Sequence, residues 1–187
     1  MQLSILCGGK SSRMQSEKGL VLYQKKAFVA HIIDAALPIC KDIQLITNTN
    51  DYDYLDYKKI KDIVLDKGAI GGIYTALTHS ETELNLILSC DIPLISTELL
   101  LELIQKHNHN FDATVLADAH TIHPLIGIYS RKTIPILEKA IEANDLKMMH
   151  LLSKVNHQKL YVAENKSHSL KNINSVAELN ELNTILV

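Results

Sequence analysis

The stretch "LNLILSCDIP", residues 84–93, runs apolar through most of its length and then meets a carboxylate at Asp91. A half-buried strand would alternate apolar and polar residues. A nearly continuous run suits a strand covered by helices on both faces, as in a parallel sheet. The same texture recurs in "LSIL" (3–6), "IQLIT" (43–47) and "DIVL" (62–65), and "ATVLA" (113–117) and "PLIGIYS" (124–130) read as a further pair of strands. Between them, "FVAHIIDAAL" (28–37), "GIYTALTH" (72–79), "TELLLELIQKH" (97–107) and "TIPILEKAIEA" (133–143) carry apolar residues at helical spacing. Thr97 is the expected N-cap of the third. "KMMHLLSKV" (147–155) reads as core packing at helical spacing, and "YDYLDYKKIKD" (52–62) as an exposed helix. "SVAELNEL" (175–182) is expected as a closing helix, with Ser175 three residues ahead of Glu178 in the pattern of a capping box.

This β-α-β-α order predicts one α/β domain over residues 1–187, three-layered and doubly wound around a mostly parallel sheet. Ligands of such sheets sit beyond the carboxyl ends of the strands. Four strand ends here are polar: "CGGKSSRMQSEK" after the first, "NTN" (48–50) after the second, "DKGAIGG" (66–72) after the third and "CDIP" (90–93) after the fourth.

Composition narrows the ligand. The 187 residues carry 19 Lys and Arg against 21 Asp and Glu, a net charge of −2, so no basic excess is present to hold a nucleic-acid backbone. No apolar run is long enough for a membrane span, and "MQLSIL" reads as a strand rather than a signal peptide. Three widely spaced cysteines, at 7, 40 and 90, make neither a disulfide framework nor a C-x-x-C metal site, which leads to the expectation of a cytoplasmic protein.

In the first loop, Gly8 and Gly9 allow the main chain to approach a ligand, while Arg13 and Lys18 supply a planar guanidinium and a compact ammonium suited to phosphate oxygens. The spacing is neither that of a Walker A loop nor that of the G-x-G-x-x-G dinucleotide fingerprint. Asp91, at the end of a buried strand, would be costly unless paired, hydrogen-bonded or metal-bound; one carboxylate with phosphate oxygens and waters is a common magnesium arrangement. The glycines after Asp66 could admit a base or ribose, with Gly71 or Gly72 opening the next helix, or form a plain turn; Asn48 could bond a sugar or base, or shape a turn.

With these residues in place, the chain resembles the molybdenum cofactor guanylyltransferases from nearly end to end. Their opening L-A-G-G-x-S-x-R-M-G-x-D-K is similar to "LCGGKSSRMQSEK" (6–18), their G-P-[LI]-x-G to "GAIGG" (68–72), their C-D-x-P to "CDIP", their H-P to "HPLIGIY" (123–129) and their N-x-N to "NIN" (172–174). Cys7 stands for a usual alanine, Gln15 for glycine, Glu17 for aspartate and Ala69 for proline. The resemblance implies a Rossmann-like nucleotide-diphospho transferase fold, with a nucleotide-binding part over about 1–95 and an acceptor-binding part over about 96–187. It implies that Leu6, Cys7, Gly8, Gly9, Lys18, Asn48, Asp66, Gly71 and Asp91 surround GTP. Arg13, Lys18 and Asp91 would carry the catalysis, with Asp91 on Mg²⁺, and His123, Asn172 and Asn174 would face the acceptor, molybdopterin or its molybdenum-bearing form. The reaction implied is transfer of GMP to the terminal phosphate of that acceptor with release of pyrophosphate. Partners in cofactor biosynthesis or molybdoenzyme maturation would fit the same reading. The competing expectations are a relative using CTP or a sugar-phosphate acceptor, and a non-catalytic nucleotide or pterin binder.

Overall fold

The computed structural model describes residues 1–8 and 17–185. A seven-stranded sheet forms its centre. In chain order the strands are β1 (Gln2–Leu6), β4 (Ile43–Ile46), β5 (Lys58–Ile60), β6 (Leu84–Ser89), β7 (Ala113–Ala117), β8 (Ile122–Ser130) and β9 (His157–Tyr161), while β2 (Leu22–Tyr23) and β3 (Lys26–Ala27) form a separate hairpin. The sheet order is β5-β4-β1-β6-β8-β7-β9, and every pairing is parallel except the two made by β8. The chain winds outward from β1 through β4 to β5 and then crosses to β6 on the other side of β1. The order therefore reverses between β1 and β6, the place where α/β sheets open a crevice.

Helices cover both faces, which gives the α/β three-layer arrangement that the apolar runs predict. On one face α1 (Phe28–Ala36) and α3 (Thr97–Lys106) pack over Leu3, Ile5, Leu45, Leu86 and Leu88; on the other α2 (Gly68–His79), α4 (Ile134–Glu142) and α5 (Met148–Lys154) pack over Leu6, Ile46, Ile87 and Val115. The alternating allocation of neighbouring strand residues to the two layers is the period-2 geometry of a strand buried twice. A third, smaller cluster of Tyr23, Phe28, Ile173 and Leu182 ties the hairpin to the last helix, α6 (Val176–Ile185). No helix among the described residues is long and apolar enough to cross a membrane.

Several local expectations are corrected. Residues 62–65 are a loop, with Ile63 and Leu65 exposed; the edge strand is β5, whose Lys58 and Lys59 leave only Ile60 buried. An outermost strand needs only one covered face, so the continuous apolar run is a poor guide to it. Residues 52–62 are not a helix: turns over 51–54 deliver Tyr52 into the core at 0% exposure, and β5 follows. The cap of α3 is Ser96, whose hydroxyl accepts from the Leu99 amide at 3.2 Å, while Thr97 donates to the Ala35 carbonyl at 2.7 Å. Helix α2 opens at Gly68, a turn earlier than expected, after Asp66 (φ 58°) and at Gly68 itself (φ 55°), both in the left-handed region. The closing helix keeps its capping box: Glu178 accepts from the Asn174 and Ser175 amides and donates its own amide to the Ser175 hydroxyl.

Candidate active site

Asp91 sits directly beyond β6 at 6% exposure and spends its charge on three donors. Its Oδ1 accepts from the Ser89 hydroxyl at 2.6 Å and from the Asn172 amide at 2.7 Å, and its Oδ2 from the Lys18 ammonium at 3.1 Å. The same ammonium donates to Asn174 Oδ1. The main chain completes the lock, because the Ile173 amide donates to the Asp91 carbonyl at 2.8 Å. Residues 18, 91, 172 and 174 thus meet in one network, although 156 positions separate the first from the last. Burial of Ile173 in the small third core and the capping box of α6 hold the Asn172–Asn174 strap in place.

Beside this network, an open cleft of about 510 Å³ lies at the switch point between β1 and β6. Leu6, Cys7 and Gly8 form its floor at the end of β1, Ile46, Asn48 and Thr49 its wall beyond β4, and Gly68, Ala69 and Gly72 its side at the start of α2. Glu17 and Ser89, the neighbours of Lys18 and the hydroxyl donor to Asp91, border it as well. Cys7 is 1% exposed and burial pushes its thiol well up, so it serves as a small packing group under the cleft rather than a nucleophile.

The sequence-based site residues fall into five groups. Lys18, Asp91, Asn172 and Asn174 are brought together, and Leu6, Cys7, Gly8, Asn48 and Asp66 line the cleft. Gly71 is not among the lining residues: it faces back onto the preceding loop, where an added Cβ would lie 2.8 Å from Lys67 Cβ, and Gly72 takes the cleft-facing place. His123 lies three residues beyond the last β6–β8 pair, Leu88 with Ile126, and Asp91 lies three residues beyond it on the other strand. Gly9 and Arg13 fall outside the described residues.

The sequence reading missed Asp62. It lines the cleft and is locked to Asn48 by a reciprocal pair: the Asn48 amide donates to Asp62 Oδ2 at 2.8 Å, and the Asp62 amide donates to Asn48 Oδ1 at 2.9 Å. Burial raises the Asp62 carboxyl pKa, with the Asn48 contact opposing the shift. Its one legible signal was a carboxylate at the head of an apolar run beyond the second polar strand end. Glu17 is raised too, by burial and then by the Asp51 charge.

A divalent ion has one obvious ligand here. An ionised carboxylate offers about four lone-pair positions, and Asp91 uses three. Magnesium is usually held by one or two carboxylates together with substrate phosphate oxygens and waters, so a single carboxylate with one remaining position fits it. Among the described residues no group of three or more His, Cys, Asp or Glu forms an all-protein cage.

A doubly wound sheet, a cleft at its switch point and a cation–carboxylate pair at the cleft's edge describe an α/β enzyme that handles a phosphorylated ligand. Comparison with known proteins names the family: residues 3–160 match the MobA-like NTP transferase domain, and the chain belongs to it. Its reaction class is therefore nucleotidyl transfer. A protein of Flavobacterium johnsoniae described as a probable molybdenum cofactor guanylyltransferase is 66% identical over 179 residues, covering 96% of this chain and 94% of its own. One of the same description from Carboxydothermus hydrogenoformans is 30% identical, covering 97% and 94%. Among solved structures, molybdopterin-guanine dinucleotide biosynthesis protein A of Archaeoglobus fulgidus superposes with a TM-score of 0.83 at 22% identity over 100% of this chain and 98% of its own, which bears on the fold alone.

Proposed function

We propose that the protein transfers GMP from GTP to the terminal phosphate of molybdopterin or its molybdenum-bearing form. The observation that carries this reading is the Lys18–Asp91 pair, 3.1 Å apart and clamped by Asn172 and Asn174 at the edge of the cleft. The names of the two relatives supply the substrates.

The chemistry asks little of the protein beyond placement and charge. An oxygen of the acceptor phosphate attacks the α-phosphorus, the bond from that phosphorus to the β-bridging oxygen breaks, and pyrophosphate leaves with the electron pair. The acceptor is already an anionic nucleophile, so no general base is needed. Lys18, fixed by Asp91 and Asn174, is a preorganised cation for the charge that grows on the leaving group, with Arg13 as a second. Mg²⁺ held by Asp91 would neutralise phosphate charge. The Asn48–Asp62 pair lines the cleft and is the base-recognition element of this reading, with Asp62 Oδ2, which already accepts from the Asn48 amide, as the acceptor for a guanine N–H.

The test is pyrophosphate release from the purified protein with Mg²⁺, molybdopterin and each of the four nucleoside triphosphates in turn. Release that requires both GTP and molybdopterin is expected. Release with CTP instead would overturn the base assignment, and no release with any nucleotide would overturn the enzymatic reading.

A further inference from the structure

Asp118 stands at the carboxyl end of β7 and is fixed before any ligand arrives. Its Oδ1 accepts from the His120 amide at 2.8 Å and the Thr121 amide at 2.7 Å, which closes the turn into β8. Its Oδ2 accepts from His123 Nε2 at 3.0 Å, with the two side chains only 20% and 11% exposed. Among the described residues, no protein group bonds the other ring nitrogen of His123, Nδ1. Leu125, two residues along β8 and within the register shift that separates the Gly127 and His123 pairings with β7, lines the cleft.

A carboxylate held by two main-chain amides has no proton of its own to give. It can only accept, so it selects the tautomer of its partner. The His123 contact is the foremost cause holding the Asp118 carboxyl down to about 2, with the His120 amide next, so Asp118 stays a pure acceptor and selects the Nε2–H tautomer wherever the imidazole is neutral. We propose that Asp118 is a positioning residue that keeps the proton of neutral His123 on Nε2 and presents the Nδ1 lone pair toward the acceptor side of the cleft. A lone pair repels a phosphate and attracts an N–H or O–H. The ring is therefore set to recognise a donor-bearing part of the acceptor, such as the amino and ring N–H groups of a pterin, and not its phosphate. This rests on the acceptor reading above for the ligand, but not for the tautomer.

Asp118→Asn separates the two roles of the carboxylate. The amide oxygen can still accept from His120 and Thr121, so the turn persists, but the amide nitrogen now donates toward Nε2 and drives the ring proton to Nδ1. Two measurements decide the matter. The first is the ¹⁵N chemical-shift signature of the His123 ring in the free protein at about pH 8.5, above the usual imidazole pKa. It should show the Nε2–H tautomer in the wild type and the Nδ1–H tautomer in the variant. The second is steady-state kinetics with molybdopterin and GTP. The KM for molybdopterin should rise about tenfold to a hundredfold, the range expected when one hydrogen bond is replaced by a donor–donor contact, while the KM for GTP stays unchanged. Asp118→Glu, which restores a carboxylate, should recover part of the loss. An Nδ1–H wild type, a tautomer indifferent to Asp118→Asn, or a molybdopterin KM that does not move would each overturn the proposal. If the wild type transfers nothing to molybdopterin, the function reading fails, and the tautomer comparison of wild type with Asp118→Asn, which needs no substrate, still decides the role of Asp118.

Discussion

Replacing Asn172 by aspartate adds one negative charge at the most crowded point of the network. The Asn172 amide nitrogen lies 2.7 Å from Asp91 Oδ1, so Asn172→Asp sets two carboxylate oxygens at that separation. At an effective dielectric of about 20, unit charges so close repel by about 6 kcal/mol, and the Lys18–Asp91 attraction at 3.1 Å, already present in the wild type, does not remove it. The penalty has a ceiling, because the pair can instead take up a proton, after which one carboxyl donates to the other much as the amide did. For a carboxyl of ordinary pKa near 4, that uptake costs about 1.4 kcal/mol per pH unit above 4, hence about 4 kcal/mol at pH 7 and about 1.4 kcal/mol at pH 5. The sign follows from linkage. The folded variant holds a proton that the unfolded chain releases above pH 4, so its stability falls as pH rises through that window. At 2–4 °C per kcal/mol for a chain of this size, thermal melts should show Asn172→Asp lower than wild type by about 8–16 °C at pH 7 but only by about 3–6 °C at pH 5. Asn172→Ala, which loses the bond without adding charge, should show a deficit of about 1.5–3 kcal/mol that does not vary with pH. An equal Tm deficit for Asn172→Asp at both pH values would refute the proximity of Asn172 to an ionised Asp91.

Three further outcomes are expected. Lys18→Met should lower kcat by about 10²–10³ while destabilising by only about 2–3 kcal/mol, checked by turnover and urea unfolding on the same preparation. Asp62→Asn removes a carboxylate whose ionised form is disfavoured by burial, so it should raise the Tm at pH 7 and at the same time weaken GTP binding about tenfold by calorimetry. Gly19→Ala would put a Cβ 2.6 Å from the Tyr52 hydroxyl and 3.2 Å from Cys90 Cβ, at a cost of about 1–3 kcal/mol, and Tyr52→Phe in the same chain should recover part of that loss of Tm.

The sequence disclosed the parts of this fold whose burial is complete. Strands β1, β4, β6 and β7 are covered on both faces and show as apolar runs, and β6 delivers Asp91 to the strand end where it was sought. Elements with one open face were hidden. The edge strands β5 and β9 mix charged and apolar residues, and the β2–β3 hairpin turns on Gln24 and Lys25 at φ 48° and 65°, without the glycine or asparagine that marks such turns. In the site, Lys18 and Asp91 were legible because each carries its chemistry in its own side chain, whereas Asn172 and Asn174 were named only through the N-x-N resemblance. Asp62, Ser89 and Asp118 were not legible, since each acts by orienting or pairing with another side chain, Asn48, Asp91 and His123, and that geometry exists only in the folded chain. That Gly72 and not Gly71 lines the cleft is a matter of which face of α2 each glycine occupies, which adjacent glycines do not signal in the sequence.

The central claim is spatial: a triphosphate lies against Lys18 while its base reaches the Asn48–Asp62 pair. A crystal structure of the protein with Mg²⁺ and a GTP analogue blocked at the bridge between the α- and β-phosphorus tests it most directly. The expected result is the guanine edge within hydrogen-bonding distance of Asp62 and phosphate oxygens within reach of the Lys18 ammonium. A nucleotide seated elsewhere, or in the cleft with its base beside Lys18 and its phosphates beside Asp62, would contradict it.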